Sequence, residues 1–115
     1  TVIRAFKKKY LNDEPLVVYG SGKKTRDFTH IDDVVIGMLD LLFDASYPTE
    51  AHFGSNDPKS ILSIAERFDH SVVHEFDKPG EAQDTHCKHP YSDTVCNVFD
   101  YIDTWVEEQK NEVSC

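Results

Sequence analysis

Apolar residues recur along this chain in two rhythms. Val2, Ile3, Phe6, Tyr10 and Leu11 come round at near-helical spacing with lysines between them, which predicts a helix over residues 2–12. Asn12-Asp13-Glu14-Pro15 ends it, because proline disfavours helical backbone at the residue before it. Leu16-Val17-Val18-Tyr19 is a short β-branched run closed by Gly20-Ser21-Gly22, a strand leading into a turn. Residues 25–31 read as extended. Thr29, three residues before Asp32, is a variant of the helix-start pattern, and Asp32 and Asp33 suit the positive end of a helix dipole. Val34, Val35, Met38, Leu39, Leu42 and Phe43 then follow at 3.6 spacing, the strongest helical signal in the chain. Ala51-His52-Phe53-Gly54 is a strand candidate before a turn at Ser55-Asn56-Asp57-Pro58. Ser60 caps a helix with Ile61, Ile64, Ala65 and Phe68 on one face. Residues 71–76 read as a strand broken at Lys78-Pro79-Gly80, and a loop runs on to about residue 94. Val98, Tyr101, Ile102, Trp105 and Val106 give a last helix, expected to fray from Gln109.

Four helices and three or four short strands make a mixed α/β domain over residues 1–110, with 111–115 as a frayed tail. The sequence holds no strand–glycine-turn–helix unit with a dinucleotide fingerprint, so a doubly wound nucleotide fold has no room in it. At 115 residues, 39% of them hydrophobic, the chain is long enough for one core. Its net charge of −9 excludes a generic nucleic-acid binder, which needs clustered positive charge. No apolar run approaches the roughly 20 residues that span a bilayer, and no secretory signal is visible. Three cysteines, an odd number, argue against a disulfide framework and for a reducing compartment, hence the cytoplasm. The first residue is Thr1 rather than Met, which reads as a processed, trimmed or truncated product.

Charge is unevenly spread. Residues 1–26 carry seven basic residues against Asp13 and Glu14, a net of +5; the remainder carries five basic against 19 acidic, a net of −14. A local basic patch on an acidic body suits a small anionic ligand rather than a long polyanion. Lys7-Lys8-Lys9 read as a solvated helix face. Gly20-Ser21-Gly22-Lys23-Lys24-Thr25 resembles a phosphate cradle, but Val17 stands where a P-loop needs glycine, so the reading is a tight turn. Tyr19 and Lys23 have Tyr-x-x-x-Lys spacing, which means nothing with Gly20 and Gly22 between them, since only a helix would bring the two side chains together. His86, Cys87, His89 and Cys96 match no common zinc spacing and read as a polar loop. Asp32 and Asp33 point about 100° apart on a helix and read as capping charges, not a paired acid.

Arg26, in a short extended segment behind the glycine turn, is placed either to grip a phosphate with its planar fork or to pair with a carboxylate. Lys78-Pro79-Gly80-Glu81 is a second site of this kind, a cation on a rigid turn with an acid beside it. Together they form a candidate clamp for a charged, hydroxyl-bearing ligand.

These stretches, in this order, resemble the C-terminal part of extended short-chain dehydrogenase/reductases, nearest the NAD-dependent nucleotide-sugar epimerases and dehydratases such as UDP-glucose 4-epimerase. The resemblance is carried by Pro15-Leu16-Val17-Val18-Tyr19-Gly20-Ser21-Gly22 and by Arg26-Asp27-Phe28-Thr29-His30-Ile31-Asp32-Asp33-Val34-Val35. Phe53-Gly54-Ser55, residues 60–66, residues 79–85 and Tyr101-Ile102-Asp103-Thr104-Trp105-Val106 extend it over most of residues 1–110. It implies a small substrate domain in which Arg26 grips a diphosphate oxygen. Backbone groups of Val17 and Tyr19 would meet the base with the Tyr19 ring near it, and the Lys78–Glu81 turn would add a second phosphate contact and a ribose contact. Lys78 replaces the family's Arg, which keeps the charge and loses the fork. His52 stands where Asn is common. Residues 86–95 replace a longer helix and a Gly-Trp-x-Pro segment.

The family's cofactor glycines and helical Tyr-x-x-x-Lys lie upstream of this region and are not in these residues. The resemblance therefore implies that NAD is bound by the full-length family and not by this chain. It also implies no catalytic residues here and no turnover by this chain alone. The expected ligand is UDP-sugar-like. The expected partners are a separate Rossmann polypeptide or a homo-oligomer, because the surface a Rossmann half would cover is apolar. The alternative is a stand-alone nucleotide-sugar-binding or self-associating module that kept only the fold.

Overall fold

The computed structural model describes residues 1–44, 46, 50–80 and 83–113, with the side chains of 112 and 113 left undescribed. Helix α1 spans Val2–Leu11 and strand β1 Leu16–Tyr19. Strand β2 is Thr25–Arg26, helix α2 Ile31–Leu42 and strand β3 Lys59–Ser60. Helix α3 spans Ile61–Arg67, strand β4 Val72–Glu75 and helix α4 Val98–Val113. This is the mixed α/β architecture expected from the sequence.

Chain turns set these boundaries. α1 stops at Asn12, and Asp13 takes a left-handed φ of 55°, so Glu14 N–H returns to Lys9 O at 2.9 Å. β1 pairs in parallel with β4, Leu16 opposite Val72 and Tyr19 opposite Glu75. β2 pairs antiparallel with β3, Arg26 opposite Lys59. Gly22 sits at φ +79°, and a Cβ there would lie 2.7 Å from Leu62 Cβ and 2.8 Å from Val18 Cγ1. The glycine is thus required twice, for its backbone and for the close approach of the turn to α3. Ser60 caps α3 as expected, its Oγ accepting from Ser63 N–H at 3.2 Å.

The core lies between α1, α3, α4 and the inner face of β1. Phe6, Leu16, Val18, Ile64, Ala65, Phe68, Ile102 and Val106 are buried. The Phe6 and Phe68 rings meet edge-on at 5.9 Å, and Trp105 stacks edge-on against Phe68 at 5.9 Å. Lys7 and Lys9 are held in place: Lys7 lies over the Tyr101 and Trp105 rings, and Lys9 pairs with Glu14 at 2.8 Å.

Four expectations are corrected. Ala51–Gly54 forms no strand; its neighbour Lys59–Ser60 does, because β2 offers its pairing edge there. Extended pairing after the glycine turn covers only Thr25–Arg26. The side-chain cap of α2 is His30, whose Nδ1 accepts from Asp32 N–H at 3.0 Å, rather than Thr29. α4 stays helical to Val113, past Gln109, over a run of Glu, Gln and Lys that favours helix. No helix among the described residues is long and apolar enough to cross a membrane.

Candidate functional site

The site is built where β1 ends. In a parallel pair alternate residues face the partner strand. Leu16 N–H donates to Ser71 O at 2.8 Å and Gly20 N–H to Glu75 O at 2.9 Å, so the even-numbered residues face β4. The ladder therefore leaves the backbone N–H and C=O of Val17 and Tyr19 on the opposite, free edge of β1. The Tyr19 ring is half exposed, and Lys78 Nζ stands over it at 4.1 Å from the centroid.

The segment beyond β4 then runs alongside β2. Lys24 Nζ meets Asp77 Oδ1 at 2.7 Å, and this contact holds the Asp77 carboxyl below its usual range. Thr25 N–H donates to Gln83 O at 3.1 Å, Thr25 Oγ1 to Asp84 Oδ1 at 2.7 Å, and Thr85 N–H back to Thr25 O at 3.1 Å. Arg26 is half-buried against this segment, Nη1 donating to Thr25 O at 2.7 Å and to Gln83 O at 3.3 Å. Tyr19 thus meets Lys78, Lys24 meets Asp77 and Arg26 meets Gln83. Glu81 lies outside the described residues. Gly80, at φ +85°, has open space around it.

Asp27, next to Arg26, works inward. Its Oδ1 accepts from Ser55 N–H at 2.8 Å and from Ser55 Oγ, and its Oδ2 from Cys87 N–H at 2.7 Å and Asn56 N–H at 3.3 Å. Burial works against its charge, but donation from Ser55, Cys87 and Asn56 outweighs that and holds the carboxyl below its ordinary range. Gly54 is tight here, since a Cβ would collide with Cys87 Cβ.

Asp33 does the same one turn further on. It is 5% exposed, and its two oxygens accept from Val95 N–H and Cys96 N–H, each at 3.0 Å. Burial again opposes the charge and these donors prevail, so its carboxyl too is lowered. Asp33 stands in the first turn of α2, as the helix-dipole reading expects, and is in addition a clamp on the 94–97 loop; Asp32 stays on the exposed first turn. Tyr91 Oη donates to Asp44 Oδ2 at 2.6 Å, which pushes the Tyr91 phenol up to about 12.

The glycine turn offers no cradle for a phosphate or dinucleotide. Leu62 N–H donates to Gly22 O and Ile61 N–H to Lys24 O, each at 2.9 Å, so the first donors of α3 are taken by the turn itself. Tyr19 ends a strand and Gly20 takes φ +70°, so Tyr19 and Lys23 are not a helical pair. Lys24, Asp27 and Asp33 are the residues that sequence reasoning passed over as parts of the site. Their partners lie 28 to 63 residues away, a separation that leaves no local pattern.

The fold is that of a small part of the extended short-chain dehydrogenase epimerases. A structure of UDP-glucuronic acid 4-epimerase from Bacillus cereus, solved with UDP-4-deoxy-4-fluoro-glucuronic acid and NAD, matches at a TM-score of 0.77 and 27% identity. The match covers 96% of this chain and 40% of that one. UDP-glucose 4-epimerase from Thermotoga maritima with UDP-glucose matches in fold at 0.79 and 16% identity, over 98% of this chain and 40% of that one.

Residues 1–51 match the model of the NAD dependent epimerase/dehydratase family. UDP-N-acetyl-alpha-D-glucosaminuronate decarboxylase from Bacillus cytotoxicus is 34% identical over 77 residues, 67% of this chain and 24% of that protein. UDP-glucuronic acid decarboxylase 1 from Arabidopsis thaliana is 31% identical over 93 residues, 77% of this chain and 21% of that protein. The matched region is thus under a quarter of these curated relatives' length.

Proposed function

We propose that these residues are a substrate-binding domain for a nucleoside-diphosphate sugar, and that as a separate polypeptide they bind such a ligand without converting it. One observation carries the reading: Lys78 Nζ lies 4.1 Å from the Tyr19 ring at the end of β1, and Gln83, further along the same connection, accepts from Arg26. A base has donors and acceptors along its edge and a flat face, which suit a strand edge and a tyrosine ring. A diphosphate suits a guanidinium and an ammonium, the guanidinium binding two oxygens at once. The match to a UDP-glucuronic acid 4-epimerase solved with a UDP-sugar supports the same ligand class. Glu81 is proposed for the ribose on the resemblance alone.

Hydride chemistry needs a nicotinamide set against the sugar with an acid/base group beside it. The glycine turn does not fit that cofactor, for its neighbouring helix donors are already used. In the proposed enzyme NAD is therefore held elsewhere than in these residues.

Titration calorimetry with UDP tests the site. We expect binding that weakens at least about tenfold in Arg26→Ala, the loss of one charge-assisted contact. Binding unchanged in that variant, or no binding at all, overturns the site. Turnover of a UDP-sugar with added NAD by the 115-residue chain overturns the inactivity.

A further inference from the structure

The chain covers the face of its own Tyr19 ring. Lys78 Nζ stands 4.1 Å from the ring centroid. Stacked rings place their centroids from about 4.5 Å apart, so the ammonium fills the space a stacked base would take.

The fold builds this placement. β1 and β4 end side by side with Tyr19 opposite Glu75, and Gly20 N–H donates to Glu75 O at 2.9 Å. Two residues on, Asp77 packs against Gly20, where a Cβ would lie 3.2 Å from Asp77 Cγ. Lys24 Nζ holds the same Asp77 carboxylate at 2.7 Å. Asp77 is thus fixed beside the residue that follows Tyr19, and Lys78 follows Asp77. The two cations differ in what holds them. Lys24 has a carboxylate, whereas Lys78 has the ring and no carboxylate in ion-pair reach among the described residues.

A ring face holds an ammonium weakly in water: an exposed contact of this kind is worth about two- to fivefold in an equilibrium constant. Charge-assisted bonds to a diphosphate are worth about tenfold or more. A lysine can pass from one to the other, because its charge is compact and its four-carbon stem flexible.

We infer that Lys78 is a gate that couples recognition of the base to recognition of the diphosphate: its ammonium rests on the Tyr19 ring, and a base stacks there when the phosphates of the same ligand draw the ammonium off. A bare nucleoside must displace Lys78 and offers it no phosphate in return, so it is disfavoured. The inference rests on the ligand reading above and adds to it the residue that tells a nucleotide from a nucleoside.

The experiment compares uridine with UDP on the full chain and on Lys78→Ala by NMR titration. Lys78 is exposed, so the substitution leaves the fold intact. We expect opposite signs. Uridine binds Lys78→Ala about two- to fivefold tighter, because the ring is free. UDP binds it at least about threefold weaker, because the lost phosphate contact outweighs the freed ring. Lys78→Arg, which keeps the charge and stacks on a ring, retains the order of the unsubstituted chain. The Lys78 Cε and Hε resonances report the gate without ligand: the ring current moves them upfield, and Tyr19→Leu or saturation with UDP returns them. Uridine bound no tighter by Lys78→Ala, UDP bound no weaker by it, or Lys78 resonances indifferent to Tyr19→Leu overturn the gate; the ligand site then stands where Arg26→Ala still weakens UDP. UDP that fails to bind the unsubstituted chain, or binds Arg26→Ala equally well, overturns the ligand reading and the gate with it.

Discussion

α3 buries Ile64 and Ala65 in the core, whereas α2 buries Asp33 and Gly37 and turns Leu42 and Phe43 to solvent. Both helices are amphipathic, yet they are anchored by opposite chemistry. Around α3, stability comes from area: rings and aliphatic side chains are removed from water, and the contribution grows with what is buried. Around α2, it comes from two carboxylates that collect backbone N–H groups from loops distant in the sequence. The carboxylate-held side organises the loops beside Arg26 while leaving its apolar face available. One half of the domain is held by packing, and the other is pinned at points.

Breaking the packed half carries the largest cost. Phe68→Ala removes a ring with no solvent exposure that touches Phe6, Tyr10 and Trp105, and we expect a loss of about 3–5 kcal/mol. Denaturant melts followed by Trp105 fluorescence read it, and a loss under ~1 kcal/mol would remove the distinction between the halves.

Asp33→Asn tests the pinned half. An amide has one carbonyl for two N–H donors and sets its own NH2 against the other, so we expect a loss of about 1.5–3 kcal/mol. The loss should be local, with faster hydrogen exchange at Val95 and Cys96 and little change at Ile64. Uniform exchange changes across both helices would contradict point anchoring.

Acid sharpens the comparison. Asp27 and Asp33 have folded pKa values below 3.8, so the unfolded chain takes up their protons first. Their stabilisation is therefore complete above about pH 5 and is lost as pH falls through the lowered folded values. Melts between those limits should show stability falling with pH, with a shallower slope in Asp33→Asn. A slope equal to that of the unsubstituted chain would show that the carboxylate is not the source.

The smallest effect belongs to the outward stripe. Leu42→Ser, at a position 73% exposed, should alter stability by less than about 0.5 kcal/mol in denaturant melts. A larger loss would mean that the stripe packs within the chain.

Much of this was legible in the residues. Periodicity located α1, α3 and α4, which bury one face each, and α2, whose apolar stripe is just as regular although it faces outward; short β-branched runs located β1 and β4. Ser60 announced its cap because an N-cap acts within three residues. Arg26 stood out because a single arginine in a short extended segment behind a glycine turn is a local signal. Lys7-Lys8-Lys9 gave only composition; where Lys7 would rest, over Tyr101 and Trp105, depended on a helix 90 residues away.

What the sequence determined by itself was the mixed α/β class, the approximate helix spans and the family. Each follows from short-range order: spacing, caps, turns and contiguous motifs. The tertiary structure alone decided that Asp27 and Asp33 clamp distant loops, that Val17 and Tyr19 present the free edge of β1, and that α2 faces outward. Those outcomes depend on which groups meet across 28 to 63 residues, and hydrogen bonds and burial act through space without leaving a period along the chain.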